Sequence, residues 1–291
     1  METVAFYSYK GGVGRSLLLA HAARFLATLG QGVVALDFDF EAPGLHYKLG
    51  ADQSPYGPSF TGGAVPYLIA TAEGAASAPP LDPHTISVEV PTEAGGWLRL
   101  MPAGPAPHPP YWAALKELGD KLRLGDPSGR GFMALLDLQA RIADELKPDY
   151  LLIDARTGVT ELGSVATTIL ADTVVCMFVE NRESLDGARV VIEAIRRSPR
   201  LVNQSPIRIL AVLSRATAAA TWLPASAAAI LGIDEIFLLP HDDLHASERL
   251  VSGSGLFSAY FTLFKGLFPS AAEFAKPHHL VSAQPSPRKN L

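Results

Sequence analysis

The chain lacks most of what marks a secreted or membrane-spanning protein. Of its 291 residues one is a cysteine, Cys176, so no internal disulfide can form, which predicts a reducing, cytosolic setting. No uninterrupted apolar run approaches the roughly 20 residues of a membrane span. The first apolar stretch is broken by Lys10, Gly11 and Gly12 before a signal-peptide core could form. Charge is sparse too: 18% of residues, netting −5, with a pI near 5.9. That balance argues against a general basic coat for nucleic acid and leaves only a local patch open. These absences predict a soluble, cytoplasmic protein. What is present in quantity is apolar residue, 48% of the chain, enough for a sizeable core.

The apolar runs have the lengths and composition of buried strands. Residues 3–8, 33–37, 97–102, 150–154, 173–179, 207–213 and 235–239 each read as one, with a further strand at 85–90. Helical patterns fall between them: the run after Gly14 up to a C-cap at Gly30, then 111–123, 131–147, 184–197, 222–231 and 246–268. Strand, glycine turn, helix and second strand at the start make a βαβ unit, whose strands run parallel. The prediction is an α/β fold: one doubly wound domain over 1–268, its mostly parallel sheet covered by helices on both faces. Residues 51–95, rich in Pro, Gly, Ala and Ser, read as an irregular excursion, and 269–291 as a loose tail.

Tyr9-Lys10-Gly11-Gly12-Val13-Gly14-Arg15-Ser16 lies between the first strand and the first helix. Glycines there let successive backbone N–H groups turn inward around an anion. The helix that follows, entered through Ser16 and Leu17, adds its free N–H groups and positive dipole end. A serine in the first turn can offer its hydroxyl to a magnesium ion. Gly11, Gly12, Val13, Gly14, Arg15, Ser16 and Leu17 are therefore the candidate phosphate binders.

Two later strands end in carboxylates. Asp37 closes the second and leads into Phe38-Asp39-Phe40-Glu41-Ala42-Pro43-Gly44; alternate residues share a face, so Asp37 and Asp39 can point the same way. One suits a metal-bound water and the other an attacking water, unless both merely cap a turn. Asp154 closes the strand Tyr150-Leu151-Leu152-Ile153 and precedes Ala155-Arg156-Thr157-Gly158. Asp154 would support a magnesium shell and Gly158 would give an N–H to a γ-phosphate. Arg156 either stabilises transition-state charge or, more simply, pairs with Glu161 or Asp39.

Taken as a set, the phosphate loop, the DxDxEAPGL segment and the IDxRTG-like segment resemble the ParA/MinD ATPases, P-loop proteins with a deviant Walker A signature KGGxGK[ST]. The resemblance runs in order over residues 1 to about 265, and WLRLMPAG is similar to the family's third-strand segment. It implies ATP and Mg2+ as cofactors, with Ser16, Asp37 and Asp154 at the metal. It also implies Asp39 as the catalytic carboxylate and Lys10 reaching across a nucleotide-sandwiched homodimer to the partner's phosphates. Residues 180–184, Ser214, Arg215 and Pro240 match the places where the family contacts the base. Arg15 departs from the pattern, standing where the family has lysine, and Ser214 stands where it commonly has asparagine; the first predicts slow turnover, the second leaves ATP against GTP open.

Three further features of the sequence carry charge or apolar periodicity. His241, Asp242, Asp243 and His245 have no spacing that sets ligands on one helix face, so a solvated loop is the simpler reading. Arg196, Arg197, Arg200 and Arg208 form the dense basic cluster, either a DNA patch or arginines favourable at a helix C-terminus. Leu256, Phe257, Tyr260, Phe261, Leu263, Phe264, Leu267 and Phe268 stripe the last helix; with Lys265 as its lone lysine, a helix covering the sheet explains them better than a membrane-surface helix. The sequence thus predicts an ATPase switch acting on an unidentified protein partner, or a nucleotide-sensing module that barely hydrolyses. Small-molecule phosphoryl transfer or amide-bond chemistry, a third class, has no second substrate motif.

Overall fold

A computed structural model describes residues 1–51, 59–72, 79–91, 94–123, 130–198, 205–217, 223–243, 252 and 254–282. Each of the apolar runs forms a strand. They are β1 (Glu2–Ser8), β2 (Gly32–Phe38), β3 (Ile86–Val88), β4 (Trp97–Met101), β5 (Tyr150–Ala155), β6 (Thr173–Phe178), β7 (Arg208–Ala216) and β8 (Ile236–Pro240). They join in one sheet of order β3-β4-β2-β5-β1-β6-β7-β8. Among the described residues only β3, at the edge, is antiparallel, paired to β4. The doubly wound, mostly parallel α/β prediction holds.

Alternation along the central strands sorts two cores. Ala5, Tyr7, Val34, Leu36, Leu151 and Ile153 face one side of the sheet. That side is covered by α3 (Ala64–Ala72), α4 (Pro109–Leu122), α5 (Arg130–Arg141), α6 (Glu161–Val165), α7 (Arg182–Arg197) and α8 (Leu223–Leu231). Val4, Phe6, Val33, Ala35 and Leu152 face the other, under α1 (Arg15–Thr28), α9 (Gly255–Leu267) and α10 (Pro277–Ser282). Continuing the alternation two residues further sends Asp37 and Asp154 to the side of α1. The two aspartates are also register partners on adjacent strands. This places a pair of carboxylates beside the N-terminus of α1, at the carboxyl edge where ligands of such sheets bind.

Two expectations need correction, and one short helix falls where none was expected. The excursion at 51–95 is not irregular throughout: α3 lies within it, with Tyr67 and Leu68 fully buried. Its proline at the third position and weak period hid it, since a first-turn proline costs a helix no hydrogen bond. The tail is not loose over 269–282: Leu280 is buried, and the Thr28 hydroxyl donates to the His279 carbonyl at 3.2 Å. Too few apolar residues mark that segment for a period to show; 283–291 lie outside the described residues. The segment before β6 carries α6, begun by the Thr160 side chain accepting from the Gly163 N–H at 3.0 Å.

The stripe on α9 is core. Leu256, Phe257, Tyr260, Leu263, Phe264 and Leu267 are buried over the sheet, and Phe264 stacks near Phe25 of α1 with centroids 5.3 Å apart. Among the described residues no helix is long and apolar enough to cross a membrane.

Candidate functional site

The turn from β1 into α1 takes its shape from two glycines. Gly12 (φ 76°) and Gly14 (φ 86°) both sit in the left-handed region, where a Cβ would be strained. Gly14 is also the N-cap, so no side chain competes for the first N–H groups of α1. Gly11 and Gly12 are exposed while Val13 is buried, pinning the loop to the core. Tyr9 fits because α7 carries Gly187, where any Cβ would meet the Tyr9 ring at 2.1 Å. That requirement was not read from the sequence.

Arg15 does not extend into solvent. Its side chain is 6% exposed; Nε donates to Asp154 Oδ1 at 2.5 Å and Nη2 to Asp39 Oδ2 at 2.8 Å. Nη1 is buried and has no hydrogen-bond partner. Burial works against its charge, but Asp154 and then Asp39 outweigh it and raise its pKa. The loop thus carries a buried cation with one donor group to spare.

Asp37 is completely buried. Its Oδ2 accepts from the Gly44 and Leu45 N–H groups at 3.2 and 3.1 Å, and its Oδ1 from the Asp39 N–H at 3.1 Å. Asp37 therefore holds the 39–45 loop, with a short helix α2 (Leu45–Lys48) beyond it. Burial first, and the Asp154 charge second, hold its carboxyl well above the usual range, against the pull of the Leu45 and Asp39 amides. Asp39 is also raised, by burial above all, with Arg15 opposing. The Tyr111 hydroxyl fixes the same loop by donating to the Phe40 carbonyl at 2.7 Å.

Other candidates divide. Lys10 stands at the rim, its Nζ 2.5 Å from Glu183 Oε1 and 5.6 Å from the Tyr9 ring centre. Arg215, also in the left-handed region at φ 55°, reaches back so that Nη1 lies 3.5 Å from the Gly12 carbonyl. The Gly158 N–H, expected to be free for a phosphate, donates to the Ser8 carbonyl at 3.4 Å. That pairing follows from β1 and β5 being adjacent. Arg156 pairs with Glu41 rather than Glu161 or Asp39, because the loop held by Asp37 carries Glu41 to it. Ser214 is buried, its hydroxyl donating to the Phe178 carbonyl at 3.4 Å, and Asn181 caps α7 by accepting from the Ser184 N–H at 2.8 Å. Pro240 ends β8, one strand further out.

Two arginines of the cluster, Arg196 and Arg208, lie on helix ends. Arg196 donates to the Leu231 and Gly232 carbonyls at 3.0 and 2.6 Å, and Arg208 to those of Leu267 and Gly266 at 3.0 and 2.5 Å. Arg197 lies 3.7 Å from Glu193, and Arg200 is outside the described residues. His241 meets Asp243 at 3.0 Å in an exposed loop; His245 is outside the described residues.

The fold that carries these residues has solved counterparts. The chain is similar to the septum site-determining protein MinD of Pyrococcus horikoshii OT3 complexed with Mg-ADP, at 18% identity over 94% of this chain and 99% of that one, TM-score 0.66. The fold is that of the MinD and ParA ATPases. McdA of Cyanothece in complex with ATP matches at 16% identity over 94% and 95% of the two chains, TM-score 0.63. A ParA family ATPase from Chlorobium tepidum TLS matches at 16% over 97% and 96%, TM-score 0.54. No family model and no curated protein sequence matches the chain. Identities this low carry the MinD/ParA fold and nothing finer.

The residues fit nucleotide phosphates: the left-handed glycines, the N-terminus of α1 and the unpartnered Arg15 Nη1 all seek an anion. Among the described residues no three His, Cys, Asp or Glu side chains converge to hold a metal by themselves, and Arg15 engages Asp154, so a magnesium ion here would rest on nucleotide phosphates and the Ser16 hydroxyl.

Proposed function

We propose that this chain binds ATP at the turn from Lys10 to Leu17 and acts as a nucleotide-dependent switch that a protein partner reads. The observation that carries the reading is the buried Arg15 guanidinium at the start of α1, its Nη1 unpartnered, directly after two left-handed glycines. Phosphate oxygens supply the acceptor that this donor lacks. A magnesium ion arriving with the nucleotide would be held by phosphate oxygens and the Ser16 hydroxyl, and would neutralise phosphate charge. Arg215, whose Nη1 lies 3.5 Å from the Gly12 carbonyl, would contact the same nucleotide.

Within this reading Lys10 completes the site of a second copy, since it stands at the exposed rim, paired with Glu183 and over the Tyr9 ring. ATP would bring two copies together and hydrolysis would part them. Asp39 is the carboxylate suited to orient the attacking water, yet its Oδ2 is tied to Arg15. That tie favours slow turnover, and at its limit a sensing module that holds ATP without hydrolysing it. Phosphate release from the native chain and from Arg15→Lys separates the two: the variant should be the faster, and a fast native enzyme would sink the slow-turnover reading. Light scattering coupled to size exclusion with ATP, ADP or no nucleotide tests the switch. A dimer only with ATP supports it, and one mass throughout refutes it.

A further inference from the structure

We propose that the Arg15 guanidinium stands in for a divalent cation between Asp154 and Asp39, so that this chain holds nucleotide phosphates almost independently of magnesium. The inference rests on the phosphate-binding reading above and deepens it.

Asp154 is 1% exposed, so its charge calls for a positive partner beside it. Arg15 supplies it, and does so as a bridge: Nε takes a carboxylate at the end of β5 and Nη2 one from the loop after β2. A cation joining two carboxylates from neighbouring strand ends is the arrangement a metal ion would make. The planar fork of arginine can make it because its donors diverge; a lysine ammonium, a point charge, has no such fixed reach. After both bonds are formed Nη1 still lacks a partner. One side chain can therefore hold both carboxylates and a phosphate oxygen at once. While Nε occupies Asp154 Oδ1, that oxygen is closed to a metal shell, in keeping with the absence of a convergent acidic triad among the described residues.

The test uses a fluorescent ADP analogue titrated into the full chain, in excess magnesium and in EDTA. The native Kd should change by less than about threefold on chelation, whereas in Arg15→Lys, which loses the bridge, it should weaken by about tenfold or more. A native Kd that weakens about tenfold in EDTA overturns the inference while leaving nucleotide binding intact. Manganese binding without nucleotide, followed by electron paramagnetic resonance, gives an independent arm. Arg15→Gln, checked for native circular dichroism, should acquire a manganese site that the native chain lacks. A variant that is folded but binds no manganese, or a native chain that binds as well as the variant, counts against the stand-in. If the analogue binds under neither condition, the proposed function falls, and the manganese arm still decides the role of Arg15.

Discussion

Arg15→Met is the most revealing stability perturbation the site offers. Methionine keeps much of the buried bulk and removes the charge. Asp154, 1% exposed, then loses its counter-ion; Asp39, 14% exposed, regains some water. Removing one partner of a buried ion pair costs about 3–5 kcal/mol. The variant also discards a buried donor with no partner, Nη1, which returns about 1 kcal/mol. The expected net loss is about 2–4 kcal/mol in urea unfolding at unchanged m-value. Asp154→Asn added to Arg15→Met removes the stranded charge and should recover more than half of the loss. A single-variant loss under about 1 kcal/mol, or strictly additive costs in the double variant, would refute the claim that these two residues form one buried charge unit.

Four further outcomes follow from the same geometry. Gly14→Ala should cost about 1–2 kcal/mol and abolish phosphate binding, because φ 86° strains any Cβ, whereas Gly11→Ala, with open space and no positive φ, should leave urea stability unchanged. Leu280→Ala should cost about 2–5 kcal/mol by calorimetry, since its side chain is fully buried against α1; a neutral result would mean residues 277–282 do not belong to the folded unit. The thiol of Cys176, fully buried and pushed up to about 12 by burial, should resist maleimide labelling until the chain unfolds. Because Cys176 is raised from 9.0 to about 12 on folding, its contribution to stability is complete below pH 9 and is lost as pH climbs towards 12; Tyr150, raised from 10.0 to about 12, acts in the same direction. Denaturant midpoints should therefore fall across that window, and a midpoint steady through it would contradict the burial of both groups.

Much of this architecture could be read from residue pattern alone, for reasons visible at particular positions. Strands buried on both faces must be continuously apolar, so β1, β2, β5, β6 and β7 announced themselves. Period-two alternation then places Asp37 and Asp154 on one face, and the structure makes them register partners beside α1. What could not be read depends on partners distant in sequence. That Arg15 would bridge Asp154 and Asp39, or that Arg156 would choose Glu41, is decided by how three loops meet, and local spacing holds no record of it. Gly187 is a plain helical glycine until Tyr9 is packed on it. The arginine cluster left two readings open for the same reason: which carbonyls Arg196 and Arg208 meet, those ending α8 and α9, is set by packing and not by spacing. The segment 277–282 was missed because a single buried leucine cannot reveal a helical period.

Isothermal calorimetry of the native chain with ATP and with adenosine puts the central claim to its most direct test. If the amides and guanidinium at the start of α1 are an anion site, ATP should bind with a Kd on the order of micromolar and adenosine at least about a hundredfold more weakly. Equal affinity for the two, or no heat from ATP, would contradict it.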